Sequence, residues 1–497
     1  MSAVPTPSVE GTIADFGDEV ALGIDLGTTS VKVVVLDADG AVIATAASHH
    51  GIIESAYGVE ADPDAWWESL LRALALLPID LGTVSCIGFS GNMSSVVLVD
   101  RVLEPVRPAI LLADSRGRDE LAGLDDETVA TIVRQTGNIP ETVFSLSTLL
   151  WLKSAEPHAL SAASAWLSAK DYLRGRLTGE PATDHTDAFN SLLTHGADWD
   201  RSTIDAIGLP RRLFPPLLSS GDVAGRVTAA AAAATGLPVG IPVATGAGDV
   251  AAGIAGAGGL EPASLSISLG TSATVEAAVE ELRLPSDALG RLTVHPTADG
   301  GLFALGSLLT GGLALNWIRS LAGGEALVGV PSEPQSGEGV VFLPYLSGTG
   351  SPDFVAEARG TLFGLTPASS GADLTRALME AVAFDIADLV DMLGARAYAR
   401  VRVSGGGSRL AAWPQVLADV LGLPVSTLDV PDLSAIGAAV LGWRAVGRSV
   451  VVADHSGVVL PRPELATAWA RRRATAARAR RTALDFYTTP PTAGDIS

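Results

Sequence analysis

The chain has 497 residues, more than one hydrophobic core can serve and enough for two to four domains. Its 33 basic and 55 acidic side chains leave a formal charge of −22 with no basic patch, which argues against nucleic acid or an anionic membrane as partner. A nucleotide stays admissible, because backbone N–H groups and Mg²⁺ can hold phosphate on an acidic protein.

Met1 to Asp18 reads as a flexible leader, and the first basic residue, Lys32, comes too late for a targeting segment. The uncharged run between Arg226 and Asp249 is broken by Gly236, Pro238, Gly240, Pro242 and Gly246, so it spans no membrane. The one cysteine, Cys86, lies in an apolar run and reads as a small buried hydrophobe in a reducing compartment. The expected location is the cytoplasm.

From Val20 to Asp37 two β-type runs flank the turn Asp25-Leu26-Gly27-Thr28-Thr29. Gly27 lets the backbone approach a ligand, and N–H groups with the hydroxyls of Thr28 and Thr29 can donate to phosphate. Asp25 can hold a hydrated Mg²⁺. After the Asp39-Gly40 turn, Ala41 to Ala47 is predicted as a third, antiparallel strand. A helix follows from Pro63, capped by Asp62, with Trp66, Leu70, Leu74 and Leu77 on one face. Thr83 to Phe89 and Val96 to Asp100 are strands, which makes a mixed α/β sheet with the phosphate turn at its cleft edge.

Arg101 to about Gly240 is mostly helical, with amphipathic stretches at Thr148 to Lys153 and Lys170 to Leu177, and reads as an insertion that walls a substrate. Pro242 to Gly248 is the crossing between halves. Asp249 follows among small residues. It is placed both to cap a helix over Val250 to Ala257 and to take a proton from an attacking hydroxyl.

The turn then recurs. Ile267-Ser268-Leu269-Gly270-Thr271-Ser272 aligns with Ile24 to Thr29, with Ser268 where the first copy has Asp25. Two phosphate turns imply a duplicated fold whose halves face each other. The second half carries its own insertion from about Gly311 to Leu365, then an amphipathic helix over Asp373 to Leu393. Val401 to Val403 is a strand ending in the glycine turn Ser404-Gly405-Gly406-Gly407-Ser408, a seat for a nucleoside. Helix Leu410 to Leu421, strand Pro424 to Leu428 and helix Leu433 to Ala445 follow, and Glu464 to Arg481 is expected as a solvated helix.

Other chemistries fall away. The only lysines, Lys32, Lys153 and Lys170, close no Walker loop; Asn92 replaces the last glycine of a nucleophile elbow at Gly88; the histidines have no zinc spacing.

Together with Gly88-Phe89-Ser90-Gly91-Asn92-Met93, Lys170-Asp171-Tyr172-Leu173, Leu177-Thr178-Gly179, Phe342 to Gly348 and Gly360 to Leu365, these segments resemble the FGGY carbohydrate kinases of the sugar kinase, Hsp70 and actin superfamily. The likeness runs from Val20 to Val446 and is strongest to the xylulokinase branch. It implies two RNase H-like, actin-like ATPase domains with an interdomain cleft that closes around MgATP and a sugar. The expected parts are a leader over 1–19, an N-terminal domain over 20–246, a C-terminal domain over 247–465 and an Arg/Ala-rich helix and tail over 466–497.

By this resemblance Asp249 is the general base and Asp25 the Mg²⁺-side carboxylate. Gly27, Thr28, Thr29, Gly270, Thr271 and Ser272 hold the phosphates, and Gly405, Gly406 and Gly407 contact the adenosine. Met93, Ser94, Asp114 and Arg116 join Asp249 around the sugar. The implied reaction converts D-xylulose to D-xylulose 5-phosphate, and a homodimer is left open. Xylulokinases usually have Met-His-Gly at Met93-Ser94-Ser95 and Trp-Asn-Asp-Gly-Arg at Leu112 to Arg116, so another ketose or a polyol (ribulose, erythritol, erythrulose) is the alternative. A conformational-switch ATPase would need no sugar pocket, whereas this chain retains Asp249 and the two insertions that would wall one; a sugar sensor without turnover would not need the Asp249 and Asp25 that it keeps.

Overall fold

The computed structural model describes residues 19–55, 58–322, 329–334, 339–394, 398–452 and 457–488. The leader 1–18, the end of the tail and parts of the Gly311 to Leu365 insertion lie outside them.

The first hairpin forms as its β-branched runs predict. Val20–Leu26 is buried throughout and pairs antiparallel with Ser30–Asp37, from Val20↔Asp37 to Leu26↔Val31. That register leaves a two-residue loop, Thr28-Thr29, closed by the Gly27 N–H donating to the Ser30 carbonyl at 3.0 Å. Val42–His49 adds on the far side, and Val84–Gly91 runs parallel to Val20–Leu26 on the near side, followed by Pro242–Ala244.

The second half repeats this plan. Leu302–Leu308, Ala273–Val279 and Ser264–Leu269 are successive antiparallel neighbours, and Arg400–Ser404 then Val425–Thr427 continue in parallel. Three antiparallel strands followed by parallel ones, twice, is the duplication that the repeated turn announced.

The chain divides into two compact units. One takes the described residues of Met1–Thr128, Pro140–Gly258 and Asp432–Ala453; the other takes those of Val129–Ile139, Gly259–Pro431 and Asp454–Ser497. This grouping does not follow the expected junction at 246/247. Helix Asp249–Gly256 packs on helix Leu433–Ala445, and both group with the first unit.

Absent side chains make that packing. A Cβ on Gly88 would lie 1.8 Å from the Ala438 carbonyl oxygen, and one on Gly437 would lie 1.7 Å from that of Ala252. Helix Leu433–Ala445 thus sits backbone to backbone on the sheet and on its neighbouring helix. On the sheet's other face helix Pro63–Ala75 buries Trp66, Leu70 and Leu74, with Asp62 accepting the Asp64 N–H as cap. Gly437→Ala, with only rigid backbone opposite, is expected to cost about 1–3 kcal/mol or more. Gly51→Ala, with nothing within 4 Å, is the neutral control. Urea unfolding midpoints compare the two.

The C-terminal helix departs from expectation. Ala466–Thr488 is a packed strap in the second unit, with Trp469, Arg472, Ala479 and Ala483 buried. Arg472 donates to Glu380 Oε2 at 2.6 Å, Arg473 pairs with Asp388 and Asp391, and Arg480 reaches Asp385 and Asp388 at 3.0 Å each. Composition suggested a solvated face; the cause of burial is an acidic stripe on helix Gly371–Met392, which composition cannot place opposite it.

Candidate active site

In the first unit the parallel register sets Asp25 beside Ser90, whose hydroxyl donates to Asp25 Oδ1 at 2.8 Å. Ala247–Gly248 pairs with Ser90 and Gly91, which brings Asp249 to the same edge of the sheet. Asp432 caps helix Leu433–Ala445 by accepting the Ala435 N–H, and it receives Lys32 Nζ at 2.6 Å. Lys32 is itself the cross-strand partner of Asp25.

Asp249 is not the helix cap that the sequence suggested. The helix begins at Asp249 with Gly248 in the cap position, and the carboxylate accepts the adjacent Val250 N–H at 2.8 Å. Ser434 Oγ holds the Asp249 carbonyl at 3.0 Å. Burial pushes the Asp249 carboxyl up to about 7; the charges of Asp25, Asp187 and Asp432 add to this, against the Val250 hydrogen bond. Asp25 is pushed up to about 6 by burial and then by Asp432, with Lys32 and Ser90 acting the other way. Burial also works against the Lys32 ammonium, but Asp432 prevails and holds it above the ordinary lysine range.

The neighbouring carboxylates that raise Asp249 and Asp25 mark this edge as acidic. Among the described residues no group of three His, Cys, Asp or Glu is placed to chelate a metal ion. Mg²⁺ needs no such cage, because it keeps waters and takes one or two carboxylates beside phosphate oxygens. A lone buried carboxylate such as Asp25 is compatible with an ion held in that way.

Asn92 anchors the next loop by donating twice to the Leu26 carbonyl, from backbone N at 2.9 Å and from Nδ2 at 3.0 Å. Ser95 Oγ donates to Asn92 Oδ1. Met93 lies beside Gly248: a Cβ there would be 2.9 Å from Met93 Cγ. Ser94 is buried at φ 62.

Asp114 and Arg116 are brought together in a polar cluster. Arg116 pairs with Asp114 at 2.7 Å and Glu60 at 2.8 Å and lies over the Trp151 ring at 4.7 Å, while Asp114 also accepts the Val59 N–H. Among the described residues no hydrogen bond or ion pair links this pair to Asp25, Met93 or Asp249.

The two glycine turns differ in detail. In the first, the Gly27 N–H is spent in closing the hairpin, so the donors left are those of the exposed Thr28 and Thr29. In the second unit Leu269 pairs with Ala273 across a three-residue loop, Gly270-Thr271-Ser272. There the Gly270 carbonyl accepts the Gly312 N–H, and the Thr271 carbonyl accepts those of Gly311 and Leu313. In a trans peptide N–H and C=O point oppositely, so the Thr271 and Ser272 N–H groups face away from those contacts.

Beside this turn, Gly405 has φ +87 and a Cβ on it would lie 2.7 Å from the Leu269 carbonyl oxygen; one on Gly407 would strike Leu269 and Trp413. Gly406 alone of the three has open space around it. The turn continues as a short 3-10 helix, Gly406–Arg409, before helix Ala412–Leu421.

Residues 20–256 match the N-terminal domain, and 265–446 the C-terminal domain, of the FGGY family of carbohydrate kinases. The chain belongs to this family. It is 34% identical to the xylulose kinase of Klebsiella pneumoniae over 459 residues, 89% of this chain and 92% of that one. It is 33% identical to that of Escherichia coli K12 over 442 residues, 85% and 90% of the two chains. The crystal structure of xylulose kinase from Rhodospirillum rubrum, 29% identical, aligns with a TM-score of 0.81 over 95% of this chain and 100% of that one. Both units therefore have the RNase H-like topology of actin-like ATPases, and this FGGY kinase is a sugar phosphotransferase whose donor is MgATP.

Sequence reasoning missed Lys32, Ser90, Asp432 and Asp187 in this FGGY kinase. Lys32 was recoverable: a two-residue turn after Gly27 places the residue seven beyond Asp25 directly across from it. Asp432 is visible as a helix cap, but its pairing with Lys32, 400 residues away in the chain, is not.

Proposed function

We propose that this kinase phosphorylates a ketopentose, D-xylulose to D-xylulose 5-phosphate, in the cytoplasm, with Asp249 as general base. The observation that carries the reading is Asp249 itself, half-buried at one edge with the buried Asp25 and raised to about 7, where a carboxylate is basic enough to take a hydroxyl proton and ionised enough to be ready. The relatives named xylulose kinase supply the substrate. Ser90 and Lys32 orient and balance Asp25, and Thr28, Thr29, Thr271 and Ser272 donate to phosphate. Gly405, Gly406 and Gly407 lie against the adenosine, while Met93, Ser94, Asp114 and Arg116 wall the sugar. Mg²⁺, on the Asp25 side, supplies charge neutralisation of the phosphates when bound.

A second reading, another ketose or a polyol, is favoured by Ser94, Leu112 and Ala113, which stand where xylulokinases usually carry His, Trp and Asn. ADP release from MgATP over a panel of ketopentoses, other ketoses and polyols decides between them. Turnover of D-xylulose, lost in Asp249→Ala, is expected. Turnover of another sugar alone would move the substrate, and sugar-independent hydrolysis would remove the kinase mechanism.

A further inference from the structure

Behind the base lies a carboxylate with one oxygen too many. Asp187, in the helix His185–Phe189, is 3% exposed. Its Oδ2 accepts from Ser168 Oγ at 2.8 Å and Lys170 Nζ at 3.0 Å. Its Oδ1 is buried with no hydrogen-bond partner among the described residues. A buried acceptor left unmade is costly, and folds retain one where a ligand completes it.

The neighbourhood says which ligand. Oδ1 lies 3.4 Å from the point a Cβ of Gly248 would occupy, and the same point is 2.9 Å from Met93 Cγ and 3.2 Å from its sulfur. The next residue along the chain is Asp249. The Gly248 N–H is already held by Thr186 Oγ1 at 2.8 Å, Lys170 is on the other oxygen, and the Met93 thioether has no proton to give. None of these neighbours gives Oδ1 a donor, which leaves the place for one from outside the protein, beside Asp249. Met93 is unbranched and adaptable enough to yield the space.

We propose that Asp187 is a further substrate-binding residue, whose Oδ1 accepts a hydrogen bond from a second hydroxyl of the sugar, distinct from the one phosphorylated. The assignment rests on the sugar lying at Met93 and Asp249. It puts an acceptor on the sugar side of a chain that lacks the His, Trp and Asn usual in xylulokinases. An acceptor-only group also selects sharply, because a deoxy analogue leaves it unpaired again.

The test is steady-state kinetics with D-xylulose and its 1-, 3- and 4-deoxy analogues, or the corresponding analogues of whichever panel sugar the wild type turns over. Asp187→Asn is expected to raise the sugar KM about 10- to 100-fold, as for loss of a buried charged acceptor, with the KM for MgATP within about twofold of wild type. One deoxy analogue should be penalised in the wild type and no further in Asp187→Asn. Because Asp187 also faces Lys170, Gly248→Ala is the second variant: its φ of −56 accepts a side chain, and the added methyl fills the space beside Oδ1, raising the sugar KM likewise. Wild-type sugar KM values in both variants, or deoxy penalties that simply add to the Asp187→Asn effect, would overturn the assignment while leaving the kinase reading intact. No turnover by the wild type with any sugar would remove both.

Discussion

Asp249→Asn is expected to lower kcat for sugar phosphorylation about 10²–10⁴-fold, the worth of a positioned base, with MgATP affinity little changed. The amide keeps the shape and the Val250 contact but cannot take the proton. The wild-type pH profile provides an independent check. The base must be ionised, and its carboxyl lies near 7 in the free protein, so kcat/KM for the sugar should fall about tenfold per pH unit below that value. A flat profile from pH 5.5 to 8 would remove Asp249 from the role. Stability runs the other way. A carboxyl raised on folding contributes stability at pH values below its unfolded pKa, and this is lost as pH rises through the folded one. Asp249→Asn should therefore be more stable than wild type at pH 8, with the advantage shrinking toward pH 5, as read from urea midpoints without ligands.

Much of the fold was legible because it is local. The Val20 to Asp37 hairpin, the Asp62-capped helix and the second turn at Gly270 are written in alternation, caps and glycines, and the repeat of the turn betrayed the duplication. Asp249 stands out in the sequence for its setting among small residues, but the cap expected of it falls to Gly248 instead. What the sequence hides is pairing over distance. Nothing near Gly88 reveals that Ala438 will press on it, and nothing near Arg472 reveals Glu380. The strap over Ala466–Thr488 was misjudged for that reason: an arginine-rich helix is solvated or buried according to what lies opposite. Asp187 escaped likewise, since Ser168 and Lys170 occupy one of its oxygens and leave the other.

Lys170→Met should be the most damaging substitution for stability. Lys170 is fully buried, and its ammonium lies 2.7 Å from Asp171, 3.0 Å from Asp184 and 3.0 Å from Asp187. Arg174 adds a second cation on Asp171 at 2.6 Å. Burial alone would strip the proton from Lys170, but the three carboxylates outweigh it and hold the ammonium charged. Methionine fills a similar volume yet leaves three buried carboxylates facing one guanidinium, a break of the kind that costs about 3–5 kcal/mol, against a total stability of about 5–15 kcal/mol for a typical domain. The damage should reach the active edge, because Asp184 accepts from Thr186 Oγ1 and that hydroxyl holds the Gly248 N–H. It should also depend on pH in a diagnostic way. With the cation gone, the carboxyls are raised in the fold, so the deficit grows as pH rises through their folded values and narrows as they regain protons in acid. A smaller loss in urea midpoint at pH 5 than at pH 8 would identify unpaired charge as the cause; an equal loss at both would assign it to the packing of the lysine stem.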